Sequence, residues 1–222
     1  ETSGRNYLDF NGQVNTSALN GTVGTLLLDP TDISIVAGPS TNDNNLTGAP
    51  NFTGAATGAS QLSVTTLTGL TGLGGSNVIV DASGGSGGGT GNITVNVPIS
   101  YTSSKSLTFN ASGTTTVNTG STITNSGSGD INFQGASVVN AAISTGGNIS
   151  FSGNTTINAN ISATGATSTL GVTATVFNWQ SGTITTNGGF TSTGCNTNIV
   201  TGPVTLASDW ILNGGEIGRA HV

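Results

Sequence analysis

Asp130-Ile131-Asn132-Phe133 and Asn148-Ile149-Ser150-Phe151 share one alternation of apolar and polar residues, 18 positions apart. The same offset carries Val139 onto Ile157 and Ile143 onto Ile161. Ile131, Phe133, Val139 and Ile143 thus recur, in order, as Ile149, Phe151, Ile157 and Ile161. Self-similarity at a fixed period of this size marks a repeat architecture. Each unit holds three short β-like stretches, such as 149–151, 155–158 and 161–163, punctuated at Gly153, Asn160 and Gly165. Alternation puts Ile149 and Phe151 on one side of a strand and Ser150 on the other. A single coil of this size has nothing to bury its apolar residues against. Stacked coils do, each strand pairing with its equivalent about 4.8 Å away. The eight ladder residues are expected inside, with Thr, Ser and Asn facing water.

The expectation is an all-β chain: a right-handed parallel β-helix, or single-stranded β-solenoid, of about 18–24 residues per coil. Upstream, Leu107/Phe109, Val117 and Ile123 repeat the motif, Leu107 lying 24 residues before Ile131, which implies longer turns. Further back come Ile93/Val95 and Val78/Val80, and the less regular stretch before Val78 is assigned to the same solenoid. Between them, the Gly-rich run at 84–91 reads as a protruding loop. Downstream, 172–177, 182–186 and 204–206 continue the rhythm without a clean register. No segment sustains a 3.6-residue period, so almost no helix is expected. An antiparallel sandwich also has short strands, but it does not require equivalent positions to recur at a fixed period.

Composition agrees. The 222 residues include 36 Gly but only nine acidic and three basic residues, against about a quarter charged and roughly 7% Gly in ordinary domains. Disordered chains replace hydrophobicity with charge and Pro; here Thr, Ser, Asn and Gly replace it. Thr favours strands, while Asn and Gly supply turns. With Arg5, Lys105 and Arg219 as the only basic residues and a net charge of −6, no basic stripe exists to neutralise a phosphate backbone, so nucleic acid is not expected as a partner. Docking on an anionic membrane surface is excluded on the same ground. A single Cys195 permits no internal disulfide and no Cys-based zinc cluster.

Two features of the chain ends add expectations. Met is absent, so the chain reads as an internal piece of something longer. The last seven residues, Glu216-Ile217-Gly218-Arg219-Ala220-His221-Val222, contain the sole His and one of the three basic residues. Back-translated as GAG ATC GGA AGA GCA CAC GTC, they resemble a sequencing-library adapter. Residues 1–215 are accordingly read as one solenoid fragment, and 216–222 as a non-native tail.

Gly21-Thr22-Val23-Gly24-Thr25-Leu26-Leu27-Leu28-Asp29-Pro30, followed by Ile33-Ser34-Ile35, resembles the G-T-L-L-L-D-P-x-x-I-x-I motif of filamentous haemagglutinins and related large exoproteins. The run from Ile93-Thr94-Val95 through Leu107-Thr108-Phe109-Asn110-Ala111 to Ile131-Asn132-Phe133 is similar to their β-strand repeats. Read physically, Leu26 and Leu28 point inward, and Asp29-Pro30 ends the strand by fixing φ at Pro30; Asp29 is assigned no chemistry. The resemblance implies a secreted, outer-membrane-associated fibre. Its implied partners are a secretion protein of the outer membrane and a receptor or glycan on a host or neighbouring cell. End-to-end self-association is expected from unpaired strand edges.

No catalytic, cofactor or metal residues are expected. Among the acids only Asp29 and Asp32 are close in sequence, and an Asp-Pro turn accounts for them. Asp81 and Asp130 fall in different coils. The run 84–91 lacks the Asp of a calcium-binding nonapeptide and the Lys-Ser/Thr of a phosphate loop. Cys195 is read as a structural thiol. Trp179 and Trp210 are read as packing residues, with sugar stacking as the alternative were they exposed. Nine Asn-x-Ser/Thr sequons, among them those of Asn148, Asn154 and Asn160, are read as accidents of composition. Two other functions stand beside adhesion: a purely structural envelope protein, and an ice-binding solenoid built on runs such as Thr114-Thr115-Thr116 and Thr122-Ile123-Thr124. Against ice, the unequal offsets of 18 and 24 are expected to break the Thr array.

Overall fold

In a computed structural model, the structure describes residues 2–3, 16, 24–29, 32–38, 60–70, 72–83, 90–199, 204–206, 209–215 and 217–219. Among these residues every strand pairing is parallel, and the pairs run from each coil to the next. The fold is a β-solenoid with three faces.

The first face stacks Thr25–Asp29, Asn77–Ala82, the start of Leu107–Val117, the start of Ile131–Val139, Ile149–Ser152, Leu170–Thr173, Phe190–Thr193 and Trp210–Asn213. The second stacks Ile33–Val36, Ile93–Val95, the ends of the two long strands, Thr155–Ile157, Val176–Trp179, Asn196–Ile199 and Ile217–Arg219. The third is a six-stranded sheet of Ile99–Tyr101, Ile123–Asn125, Ile143–Thr145, Ile161–Ala163, Gly182–Thr186 and Val204–Leu206. Residues 217–219, in the suspected tail, form a strand that pairs Thr197 with Ile217.

Like stacks on like. Val78, Leu107, Ile131, Ile149, Leu170 and Phe190 form one buried ladder on the first face. Beside it, the rings of Phe109, Phe133 and Phe151 stack with centroids 5.0 and 4.8 Å apart. Val95, Val117, Val139, Ile157 and Trp179 line the second face. Ile99, Ile123, Ile143, Ile161 and Ile184 line the third. Parallel pairing in register forces this likeness, because equivalent side chains from adjacent coils sit one strand spacing apart.

The unequal coil lengths have a simple geometric basis. Phe109 to Val117 spans two more residues than Phe133 to Val139, Val117 to Ile123 two more than Val139 to Ile143, and Ile123 to Ile131 two more than Ile143 to Ile149. The longer coil therefore adds two residues at each corner and none within a face. Downstream the register is clean, contrary to expectation: Leu170 pairs with Phe190, and Phe190 with Trp210. The stretch 172–177 spans a corner, since one strand ends at Thr173 and the next begins at Val176.

Gly135 marks the corner in the shortest coil. Its φ is +91°, and a Cβ there would collide with the carbonyl oxygen of Ala111 in the coil below. Only Gly meets both conditions at little cost.

Among the described residues the helix content is the single turn Val64–Thr68, capped by Ser63 Oγ accepting the Thr65 N–H at 3.1 Å. Ile33–Val36 pairs with Ile93–Val95 on one edge and with Ser60–Ser63 on the other, so the later segment lies beneath an earlier strand. Leu67 and Leu73 then join the core. Positions 84–89 of the Gly-rich run lie outside the described residues, as do the side chains of Leu26 and Leu28; the Leu26–Val78 and Leu28–Val80 backbone pairings are present.

Candidate functional surface

Among the described residues, Asp32, Asp81 and Asp130 bind backbone and amide groups of their own or a neighbouring coil. Asp32 Oδ1 accepts the backbone N–H of Asn92 at 2.7 Å, and Asp130 Oδ1 accepts that of Asn148 at 2.7 Å. Asp81 accepts the Ser83 N–H at 2.7 Å and the Asn110 amide at 3.0 Å. Asp81 pairs with Asn110 on the first face, whereas Asp130 stands just before Ile131, so stacking does not bring these two acids together. Among the described residues, no three His, Cys, Asp or Glu side chains are grouped to hold a metal.

Asp32 and Asp130 belong to a wider device that reading the sequence missed. Asn77 Oδ1 accepts the Ser106 N–H at 3.0 Å, and Asn92 Oδ1 accepts the Thr114 N–H at 2.8 Å. Asn148 likewise serves Thr169 at 2.9 Å, Asn154 serves Val176 at 3.0 Å and Asn160 serves Thr183 at 2.8 Å. In each case an Asx side chain at or just before a strand start caps the N–H one coil further on. The sequons of Asn92, Asn148, Asn154 and Asn160 therefore have a structural cause. The signal was present, because these Asn precede strand starts, but the acceptor role shows only once the coils are stacked.

Trp179 is 1% exposed and stands in the ladder between Ile157 and Ile199, which removes it as a sugar platform. Trp210 is half-buried; its ring lies 5.1 Å from that of Phe190, nearly parallel, and its Nε1 donates to Ser192 Oγ at 2.9 Å. Cys195 is a free, fully buried thiol within reach of the Thr193 and Val172 carbonyls, at 3.3 and 3.6 Å. Burial pushes the Tyr101 phenol well above its ordinary range, and the negative charge of Asp130 pushes the same way.

What the third face offers outward is uncharged. The third-face strands, with sequences ISY, ITN, IST, ISA and GTITT between Ile99 and Thr186, contain no ionisable side chain except the inward Tyr101. Their central outward positions are Ser100, Thr124, Ser144, Ser162 and Thr185. On the first face the corresponding column runs through Thr108, Asn132, Ser150, Gly171 and Thr191. On the second it runs through Thr94, Thr116, Val138, Thr156 and Asn178. Amides and hydroxyls both donate and accept, so these faces suit neutral, hydrogen-bonding partners. Compared with known proteins, the chain matches no family model, no curated protein and no solved structure.

Proposed function

We propose that this chain is part of the shaft of a secreted adhesive fibre of the filamentous-haemagglutinin kind, held at a bacterial cell surface and acting without catalysis. The observation that carries this reading is the stacking itself. Each coil presents a paired strand edge to the next, the interior is a set of apolar ladders, and the surface is Thr, Ser and Asn. Such a stack can be lengthened coil by coil along one direction, which is what a stand-off fibre requires. The resemblance of 21–35 to the exoprotein motif supports the same reading. Its partners would be an outer-membrane secretion protein and a receptor or glycan on the attached surface.

The test is deletion of the segment encoding these coils from its parent gene, in frame, followed by measurement of export and attachment. Loss of attachment with export intact is the expected result. An altered envelope with attachment unchanged would assign the protein to envelope structure instead.

A further inference from the structure

Two Asn-Gly pairs fall within the described residues, and each stands where a strand ends. Asn187-Gly188 follows Gly182–Thr186, and Asn213-Gly214 closes Trp210–Asn213. An Asn-Gly pair is chemically self-reactive, because the Gly nitrogen, with no Cβ to shield it, reaches the Asn side-chain carbonyl carbon. Reaction requires both groups to be free. At the first pair neither is: Asn187 Nδ2 donates to the Thr164 carbonyl at 2.9 Å, and the Gly188 N–H donates to the Ser168 carbonyl at 2.8 Å. A Cβ at Gly188 would collide with the Thr167 carbonyl oxygen, so this corner is pressed onto the coil beneath.

The second pair is open. Asn213 and Gly214 are exposed, and neither the Asn213 side chain nor the Gly214 N–H has a partner among the described residues. Register explains the difference. Thr193 pairs with Asn213, so Gly194 and Gly214 occupy equivalent positions of successive coils, with φ of +68° and +72°. Gly194 gives its N–H to the Asn213 carbonyl at 3.0 Å. The Gly214 N–H is directed to the same level one coil further on, where no described strand lies.

We propose that Asn213 is a site of spontaneous deamidation, controlled by stacking. The Gly214 nitrogen bonds to the Asn213 side-chain carbonyl carbon, the bond from that carbon to Nδ2 breaks, and the Gly214 amide proton ends on the departing ammonia. The resulting five-membered imide takes up one water molecule. Opening at the side-chain carbonyl gives Asp. Opening at the main-chain carbonyl gives isoaspartate, whose chain runs on through the former side chain and is one methylene longer. The oxygen that holds the Gly194 N–H then belongs to a free carboxylate. Either product places a negative charge on the edge that a further coil would pair with, and charge on an edge strand opposes pairing. An edge left uncovered is thus blunted with time, whereas a covered one keeps its amide.

The experiment holds the full chain in warm, mildly alkaline buffer and follows peptic peptides containing residues 187 and 213 by mass spectrometry. In the folded chain Asn213 should convert to Asp and isoaspartate at least about tenfold faster than Asn187, which must first open two hydrogen bonds. In concentrated urea the two rates should converge, because both pairs are then free. A chain in which a second copy of 196–215 replaces 216–222 adds a coil above Asn213. It should protect Asn213 and move the reaction to the copied Asn-Gly pair. Equal rates at Asn187 and Asn213 in the folded chain overturn the proposal, as does undiminished conversion of Asn213 beneath a folded added coil. If the added coil does not fold, the comparison of folded and urea-treated parent decides the matter alone.

Discussion

Asn125 holds both backbone hydrogen-bonding groups of Ser103 in the coil beneath it: its Oδ1 accepts the Ser103 N–H and its Nδ2 donates to the Ser103 carbonyl, each at 3.0 Å. The same side chain accepts the Gly127 N–H and donates to the Gly129 carbonyl, again at 3.0 Å. One buried amide thus replaces a ladder rung where the chain turns out of the third face. It is the acceptor for the Ser103 and Gly127 N–H groups, whereas the two carbonyls also accept from the Gly129 N–H and from Thr145 Oγ1.

Asn125→Ala is expected to destabilise the fold by about 1–3 kcal/mol, because it strands the Ser103 and Gly127 N–H groups at a partly buried corner. Urea unfolding measures it. A change below about 0.5 kcal/mol would place the corner's stability elsewhere.

Ile149 stands between Ile131 and Leu170 and is 1% exposed. Ile149→Asp puts an unpaired carboxylate inside that ladder, at a cost of several kcal/mol, while Ile149→Val should cost only about 0.5–1.5 kcal/mol. Thermal melts of both variants distinguish burial of charge from loss of a methylene. Equal melting points would contradict the inward register.

Gly135→Ala meets a positive φ and the Ala111 carbonyl together. Its cost should exceed the roughly 1 kcal/mol of an unstrained Gly-to-Ala change and have the opposite sign to the usual entropic gain. Gly171, which has open space at its Cβ and no positive φ, serves as the control. Gly171→Ala should leave the urea midpoint nearly unchanged.

The phenol of Tyr101 is buried without a hydrogen-bond partner, and its folded pKa lies above the unfolded value near 10. The raised pKa means that the folded chain keeps the proton after the unfolded chain has lost it. Stability is therefore full below about pH 10 and falls as pH rises through and beyond that value. Tyr101→Phe removes the ionisation and should flatten this alkaline loss without weakening the fold at neutral pH. Unfolding measured from pH 8 to 11 checks both halves of the expectation.

How far the fold is readable from the residues depends on whether neighbours in space recur at a regular distance in the chain. Ile131 and Ile149 do, so their pairing follows from one offset. Leu170, Phe190 and Trp210 do as well, but chemically unlike residues hide the recurrence. Ser60–Ser63 pairs with Ile33–Val36 at an offset that no other pairing among the described residues repeats, so nothing local announces it. The Asx caps were visible as Asn before strands, yet their sequons invited a reading from composition alone.

Alternation and period by themselves determined that the chain coils, that Ile, Val and Phe stack inside, and that the surface is Thr, Ser and Asn. These follow from side-chain direction and the burial of apolar area, both of which are local or periodic. Only the tertiary structure decided where added residues go, and hence that outward columns stay in register across coils of unequal length. It also decided which amides become interior rungs. Those outcomes depend on hydrogen bonds between adjacent coils, whose ends lie a coil apart in the chain and one strand spacing apart in space.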